Sequence, residues 1–373
     1  MNGNFQRNFI LVLIVSILVI SLMTVYAAAD SKEKTPSGIS ARSAALYCPE
    51  AESFLFEKCA SERLPMASTT KIMTALLAIE KGDLSKVVKI PVAASGIEGS
   101  SIYLEAGEEI LFTDLLYSVL LQSANDAATA LALEISGDID SFSDLMNQRA
   151  LQMGLSDTHY ENPHGLDGRE HYTTAHDLAI LSANALQNPI FKEITSTYKH
   201  SFTTSLGKER TVVNHNKMLK MYDGTVGVKT GFTKKSGRCL SSAAERDGIT
   251  LIAVTLDAPD DWRDHKALLN YGFDLLTATD PDILTEREFT IPVIGGEKDG
   301  LICFREEIKP FVHLKSEGEI KATVYLPRYI VAPVEEGTTV GKILYKLGEK
   351  TVFCANIYAK ESTNKDKHNL FNS

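Results

Sequence analysis

Cysteine is scarce in this 373-residue chain, and its arrangement does not suit a metal site. The five cysteines are Cys48, Cys59, Cys239, Cys303 and Cys354, with no Cys-x-x-Cys pair and no histidine at metal-ligand spacing. An odd number cannot all form disulfides. Cys48 and Cys59 flank a predicted hairpin and could be bridged, although buried free thiols are the simpler interpretation. The sequence therefore indicates no metal and no organic cofactor.

An excess of positive charge is also missing. The chain has 38 Lys and Arg against 48 Asp and Glu, a formal net charge of -10. Nucleic-acid grooves and surfaces that attract anionic lipid need clustered Lys and Arg, so neither kind of partner is expected. Hydrophobic residues make up 44% and charged residues 23%, as in an ordinary globular protein. The ligand is expected to be small or local.

A membrane-spanning run is lacking as well. The apolar stretch at residues 9–23 has fifteen residues, fewer than the roughly 20 that a spanning helix needs. Arg7 precedes it, and small residues at positions 27–29 follow it. Residues 1–29 therefore fit a secretory signal peptide better than a retained anchor, and we expect the mature protein to work outside the cytoplasm. Membrane contact is expected only through this segment, if it is left uncleaved.

The rest of the sequence predicts two domains. Residues 30–280 read as two strands and a helix, then a helical insert at about 110–200, then three strands and a helix, which indicates an α+β fold. Residues 283–360 contain short strand-like runs at intervals of about ten residues, typical of a small all-β sandwich or barrel. Residues 361–373 are predicted to be a polar, disordered tail.

One serine and lysine pair stands at the head of an apolar helix. In "PMASTTKIMTALLAIEKG", Ser68 precedes Lys71 by three residues, which puts both on one helix face. A helix N-terminus also favours the negative charge that develops during acyl transfer. The same spacing recurs at Ser31/Lys34, Ser196/Lys199, Ser205/Lys208 and Ser362/Lys365. None of those four pairs heads an apolar helix, so the first is preferred over a capping serine with a solvated lysine.

Two further motifs could complete a catalytic site. The tripeptide at 123–125, Ser-Ala-Asn, falls at a break between two helical runs, whereas its copy at 182–184 lies inside an uninterrupted helical pattern. Lys-Thr-Gly at 229–231 ends a predicted strand, where glycine allows close approach of a substrate backbone. Lys-Ser-Gly at 235–237 follows that strand and is not preferred. Together, the three motifs predict a nucleophile, a loop and a strand around one cleft.

The order of these motifs, Ser-x-x-Lys, Ser-x-Asn and Lys-Thr-Gly, resembles that of penicillin-binding proteins and class A β-lactamases. The chain also resembles the serine D-alanyl-D-alanine carboxypeptidases, the low-molecular-mass penicillin-binding proteins of peptidase family S11. The segments that carry this resemblance are "PMASTTKIMTA", "SAND", "NPHGLD" and "GVKTGFT". The resemblance implies a β-lactamase/DD-peptidase-like antiparallel sheet flanked by helices, followed by an all-β, sandwich-like domain. Ala124 stands at the middle of the second motif, a residue that these carboxypeptidases accept.

The resemblance also implies roles for the motif residues. Ser68 would be the acylated nucleophile, Lys71 its base and Ser123 a proton relay to the leaving D-alanine, while Asn125 would hold the substrate amide. As a base near pH 7, Lys71 needs a pKa that has fallen from about 10.4 to about 7, which burial and the Lys229 charge would favour. The substrate would be a peptidoglycan stem peptide ending in D-Ala-D-Ala, and β-lactams would inhibit covalently.

The other implied contacts concern the substrate's terminal carboxylate and the oxyanion. Lys229 and Thr230 would bind the carboxylate, and the backbone N–H groups of Ser68 and of Phe232, just past Gly231, would form an oxyanion hole. The family places an arginine after the following strand to grip the carboxylate, and Arg263 is the candidate. His164 resembles a family-typical loop residue but equally suits a structural role.

Three other functions remain open. A class A β-lactamase needs a glutamate followed four residues later by asparagine, and here Glu161 is followed at that distance by Gly165. A non-catalytic sensor of muropeptides or penicillin would not need the intact serine and lysines. A DD-endopeptidase would form the same acyl-enzyme and differ only in the leaving group. The all-β domain favours a carboxypeptidase.

Overall fold

The computed structural model of this chain describes residues 35–366. The predicted signal peptide, residues 1–29, lies outside the described residues, as does the end of the predicted tail, residues 367–373. Residues 35–39 are irregular and belong to a separate N-terminal unit, while the chain from Ser40 onward forms one compact unit. Within the described range, no helix is both long and apolar enough to cross a bilayer.

The strands of the described chain have the following bounds. They are β1 Ser43–Cys48, β2 Ser53–Lys58, β3 Val87–Lys89, β4 Glu109–Leu111, β5 Lys199–Thr203, β6 Glu209–Val213, β7 Thr225–Thr233, β8 Gly237–Arg246, β9 Ile249–Leu256, β10 Leu276–Thr279, β11 Glu288–Ile294, β12 Gly300–Arg305, β13 Phe311–Leu314, β14 Ile320–Tyr325, β15 Ile330–Val331, β16 Thr339–Leu347 and β17 Lys350–Ala359.

The α-helices of the same range are few and mostly short. They are α1 Lys71–Lys81, α2 Phe112–Leu121, α3 Asn125–Ser136, α4 Ile139–Gln152, α5 Ala175–Leu186, α6 Pro189–Ser196, α7 Met218–Met221, α8 Asp261–Leu275 and α9 Pro281–Leu284. Single 3-10 turns occur at Ala67–Thr70, Val92–Ala94 and Lys315–Glu317.

The first domain is built on an antiparallel sheet with the order β2-β1-β9-β8-β7. Its inner strands are rich in small and β-branched residues that are buried on both faces, as in β9, which reads "ITLIAVTL". The β8–β9 hairpin turns at Asp247 and Gly248, both with positive φ, as a two-residue hairpin of the Asp-Gly type requires. The sheet and its order confirm the predicted α+β fold.

Helices cover this sheet and carry two of the predicted motifs. α1 is buried along nearly its whole length and packs in one hydrophobic core with α2, α3 and α5. The predicted helix at Ser68 begins with a 3-10 turn, and its α-helical part starts only at Lys71. The short hairpins β3–β4 and β5–β6 were not predicted, because their strands lack the length and alternation that mark a strand in sequence.

The second domain is all-β, as predicted. A six-stranded sheet has the order β14-β16-β17-β12-β11-β15 around a separate core that includes Ile291, Leu301 and Tyr345. β13 leaves this sheet and pairs with β10, which follows α8 of the first domain. The connection between the domains is therefore a pair of hydrogen-bonded strands as well as a linker.

The expectation of a disordered tail needs correction, and the expectation of buried free thiols is confirmed in part. The predicted disordered tail is ordered through residue 366, where Thr363 is buried and bridges to Val334, so its backbone groups are satisfied by the sheet domain. All five cysteines are free thiols, which leaves no bridge between Cys48 and Cys59. The buried thiols are Cys48 and two others, but Cys59 and Cys354 are exposed.

Candidate active site

The nucleophile candidate lies on a strained turn. Ala67 has a φ of +47°, an uncommon conformation for alanine, and Ser68 follows it half-buried at the cleft. The Thr69 hydroxyl donates to Met66 O at 2.6 Å, and the Thr70 hydroxyl donates to Ala67 O at 2.8 Å. These two bonds hold the turn in its conformation, so Ser68 presents its hydroxyl to the cleft from a rigid backbone.

Lys71 is fully buried and surrounded by oxygen atoms. Its Nζ lies 2.9 Å from Ser68 Oγ, donates to Asn125 Oδ1 at 2.7 Å and also donates to the backbone oxygen of His164. A neutral amine has two N–H donors and one lone pair. With both donors engaged by Asn125 and His164, the lone pair is directed at the Ser68 hydroxyl, which is the orientation that a general base requires.

The electrostatics of the pocket favour that neutral amine. Burial, and then the Lys229 charge, hold the pKa of Lys71 well below its ordinary value, while the Asp126 carboxylate opposes them. Lys229 is itself 1% exposed, and burial lowers its pKa to about 7. Its Nζ donates to Thr230 O at 3.0 Å. The charge on Lys229 therefore disfavours a second positive charge on Lys71.

The second motif lies where the sequence placed it, between α2 and α3. Ser123 has a φ of +61° and lines the cleft together with Ser68. The backbone N–H of Asn125 donates to Ser100 O at 2.7 Å. Both polar atoms of the Asn125 side chain are hydrogen-bonded, because Oδ1 accepts from Lys71 Nζ and Nδ2 donates to Glu98 O at 2.6 Å. Asn125 is thus an orienting partner of Lys71, beyond the substrate contact that was predicted.

The third motif forms one wall of the cleft. Thr230, Gly231 and Phe232 of β7 line it opposite Ser68. A Cβ added to Gly231 would lie 3.0 Å from the backbone nitrogen of Ser68. Any side chain at this position would press on the amide that the oxyanion hole needs, so glycine is required for the close approach of strand and turn.

An arginine that the sequence analysis missed lines the cleft. Arg238 of β8 pairs across the hairpin with Phe232, and one end of its guanidinium donates to both oxygens of Asp261 at 2.7 and 2.9 Å. Its Nε is buried and has no hydrogen-bond partner within residues 35–366. The guanidinium carbon lies 5.6 Å from the Trp262 ring centroid. The register of the β7–β8 hairpin could have identified it, because that register places Arg238 opposite Phe232, which follows the third motif.

The predicted arginine, Arg263, lies elsewhere. It is in the first turn of α8, its side chain is 61% exposed, and it forms salt bridges with Asp260 at 3.3 Å and Asp264 at 3.6 Å. It is not among the described residues that line the cleft. Asp260 lies three residues before it and Asp264 directly after it, so local acidic partners hold it outside.

Two histidines, His171 buried and His164 half-buried, contact residues next to Ser68, and neither is among the described residues that line the cleft. His171 accepts from the Glu161 backbone N–H at 3.0 Å through Nδ1, so its Nε2 carries the proton and donates to Thr70 Oγ1 at 2.7 Å. His164 supplies its backbone oxygen to Lys71, and burial lowers the pKa of its ring to about 3. Burial likewise lowers the pKa of His171 to about 4. Both rings are therefore neutral at physiological pH and act as structural residues.

Comparison with known proteins gives a consistent result for both domains. Residues 29–260 match the family profile described as D-alanyl-D-alanine carboxypeptidase, and residues 286–365 match the penicillin-binding protein 5 C-terminal domain. The chain is 30% identical over 376 residues to D-alanyl-D-alanine carboxypeptidase DacF of Bacillus subtilis, covering 96% of this chain and 95% of that protein.

A second relative and a solved structure agree. D-alanyl-D-alanine carboxypeptidase DacC of Escherichia coli is 30% identical over 351 residues, covering 87% of this chain and 84% of the relative. The crystal structure of penicillin-binding protein 5 from Haemophilus influenzae superimposes with a TM-score of 0.65 at 27% identity, covering 89% of this chain and 99% of that one. The likeness thus extends over both domains.

Proposed function

Because this chain belongs to the D-alanyl-D-alanine carboxypeptidase family, we propose that Ser68 carries the acyl-enzyme through which the terminal D-alanine of peptidoglycan stem pentapeptides is removed. The family defines the enzyme as a serine-type hydrolase and penicillin-binding protein. Its substrate is accordingly a peptide ending in D-Ala-D-Ala, and β-lactams are its covalent inhibitors. The observation that carries the assignment to Ser68 is the buried Lys71 amine 2.9 Å from its hydroxyl.

Acylation begins with proton transfer from Ser68 to Lys71. The Ser68 oxygen then attacks the carbonyl of the penultimate D-alanine, and the backbone N–H groups of Ser68 and Phe232 bind the resulting oxyanion. Ser123, which lines the cleft beside Ser68, passes the proton from Lys71 to the amine of the departing D-alanine, which leaves Lys71 neutral again. Water then hydrolyses the ester with Lys71 again as base, which restores Ser68 and releases the shortened peptide.

The fate of the acyl-enzyme separates this function from that of a class A β-lactamase. The candidate for a second base, Glu161, has its carboxylate against Gly168, where an added Cβ would lie 1.6 Å from Oε2. Glu161 is not among the described residues that line the cleft. Acyl-enzymes of β-lactams are therefore expected to be long-lived here.

The terminal carboxylate of the substrate is assigned to Lys229, Thr230 and Arg238. Thr230 and Arg238 line the same cleft as Ser68, and the Arg238 side chain is 41% exposed there. Asp261 holds the other end of the guanidinium, so the side chain is positioned before the substrate arrives. Arg238 takes the role that the sequence analysis assigned to Arg263.

Replacing Arg238 with lysine tests this assignment. The variant keeps a positive charge beside Asp261 but loses the planar fork, so we expect kcat/KM for a D-Ala-D-Ala peptide to fall about tenfold. A substrate whose terminal carboxylate is esterified should be affected less than twofold. The matched control, Arg263→Lys, should leave both substrates unchanged. An equal loss with the two substrates, or a larger loss in the Arg263 variant, would refute the role of Arg238.

Release of D-alanine tests the activity itself. We expect the protein to release D-alanine from a synthetic stem pentapeptide faster than it cleaves a cross-linked peptide dimer. The C-terminal domain, shared with penicillin-binding protein 5, favours this carboxypeptidase preference. Faster cleavage of the dimer would favour a DD-endopeptidase. A protein that neither releases D-alanine nor reacts with a fluorescent penicillin would be a non-catalytic sensor.

The site of action follows from the substrate. Peptidoglycan lies outside the cytoplasm, and a signal peptide at residues 1–29 would deliver the enzyme there. We propose that the mature protein is secreted or stays near the wall, with membrane contact only through the N-terminal segment if it is uncleaved.

A further inference from the structure

The catalytic cleft continues into a second chamber. The cleft has a volume of about 340 Å³ and the chamber about 510 Å³, and His215 and Lys217 line both. The chamber is completed by Tyr198, Asn214, Lys220 and Met221. Nothing in the acylation and hydrolysis steps uses this second space.

The chamber opens from the part of the cleft that receives the leaving group. The His215 backbone N–H donates to Leu121 O at 3.2 Å, two residues before Ser123. Burial, and then the charge of Lys229, lower the pKa of the His215 ring. His215 therefore lines the cleft together with Ser123, which protonates the leaving amine, and Thr230, which binds the leaving carboxylate.

The lining of the chamber is largely apolar, and two lysines supply its charge. Lys217 and Lys220 are exposed there, and neither forms a salt bridge within residues 35–366, whereas no carboxylate is among the lining residues. Lys220 Nζ lies 3.5 Å from the centroid of the Tyr198 ring, and this cation–π interaction holds the ammonium over the ring face. In a protein with a net charge of -10, this is a locally cationic surface.

The backbone under Lys217 is fixed. Asn214 Nδ2 donates to the backbone oxygens of Thr195 and Thr197, and Asn214 Oδ1 accepts from the Asn216 N–H. Asn216 Oδ1 in turn accepts from the Met218 N–H at 3.0 Å. Consecutive side-chain bonds of this kind leave little freedom at the chamber wall, so less ordering entropy is lost when a ligand binds.

We propose that this chamber is a specificity subsite for the side chain of the leaving residue, and that it favours leaving D-amino acids with an anionic side chain over neutral isosteres. The proposal rests on the proposed carboxypeptidase function and extends it to substrates other than D-Ala-D-Ala. The reaction is the same amide hydrolysis: the bond to the leaving nitrogen breaks, that nitrogen gains a proton, and water supplies the hydroxyl of the new acid. D-Glutamate and D-glutamine are matched probes, because they differ only in charge.

Three acylated dipeptides, ending in D-Ala-D-Ala, D-Ala-D-Glu and D-Ala-D-Gln, test the subsite. We expect kcat/KM for the D-Glu substrate to exceed that for the D-Gln substrate about fivefold at low ionic strength, and the ratio to approach one in 1 M salt. In the double variant Lys217→Gln, Lys220→Gln, the ratio should approach one at low salt. The control variant Lys199→Gln, on an exposed position of β5, should keep the ratio.

The outcomes separate the subsite from the activity. D-Alanine release should stay within twofold of wild type in the single variant Lys220→Gln, because Lys220 lines the chamber and is not among the residues that line the cleft. A wild-type ratio near one, a ratio that survives the double substitution, or D-alanine release with no turnover of either longer substrate would overturn the subsite. Absence of release from all three substrates would instead contradict the proposed function, and the subsite with it.

Discussion

Exchanging Lys71 for glutamine is expected to slow acylation by a fluorescent penicillin about 10³-fold. The amide can still bond to Asn125 and to the His164 oxygen, but it has no basic lone pair to take the proton of Ser68. The variant should fold, because a neutral polar group replaces an amine whose pKa is already depressed by burial and by Lys229. Stopped-flow or gel-based labelling measures the rate.

The matched control is Lys81→Gln at the exposed C-terminal end of the same helix. It should label at the wild-type rate, and both variants should unfold within a few degrees of wild type. Labelling of the Lys71 variant within tenfold of wild type would show that another group takes the proton.

The charge state of the two lysines gives this result a pH dependence. Lys71 must be neutral and Lys229 charged, and burial lowers the pKa of both amines. kcat/KM should therefore fall in acid as Lys71 gains a proton. It should also fall as the pH rises through the Lys229 pKa, about 7, because the charge that binds the substrate carboxylate is lost. Because the two lysines interact, the two pKa values read from this pH profile describe the pair and not either lysine alone.

Replacing Gly165 with alanine is expected to damage both activity and stability. The new Cβ would lie 2.0 Å from Ala67 O and 2.4 Å from Ala67 C, and both are backbone atoms that cannot move without displacing Ser68. We expect about a 100-fold loss in the acylation rate and a decrease of about 3 kcal/mol in the free energy of unfolding.

Gly154 provides the control for backbone strain alone. Its φ is +75°, close to the +89° of Gly165, but an added Cβ would meet nothing within 4 Å. Gly154→Ala should cost about 1 kcal/mol of stability, from the left-handed conformation, and leave acylation unchanged. Equal losses in the two variants would mean that contact with the Ala67 backbone does not determine the geometry of Ser68.

The three motifs could be located from the sequence because each depends on local structure. The Ser68 and Lys71 pair needs only helical spacing, Ser123 only a break between helices, and Thr230 only a strand end. The orientation of Asn125 could not be predicted, since it depends on Glu98 and a loop far away in the chain. His171 was missed for the same reason, because its partner Thr70 lies 101 residues away.

The arginine shows where reasoning from chain order fails. Arg263 was chosen because it follows the next strand, but its acidic helical neighbours pair with it outside the cleft. Arg238 could have been found from the β7–β8 register, which pairs it with Phe232. The second chamber forms where Tyr198, just before β5, meets α7 and the loop before α7, and no short sequence pattern predicts that contact.

Mass spectrometry after reaction with benzylpenicillin tests the central claim most directly. The whole protein should gain the mass of one penicillin, and peptide mapping should place the adduct on Ser68, with no adduct in Ser68→Ala. An adduct on another residue, or an unmodified protein under conditions where it is folded, would contradict the account.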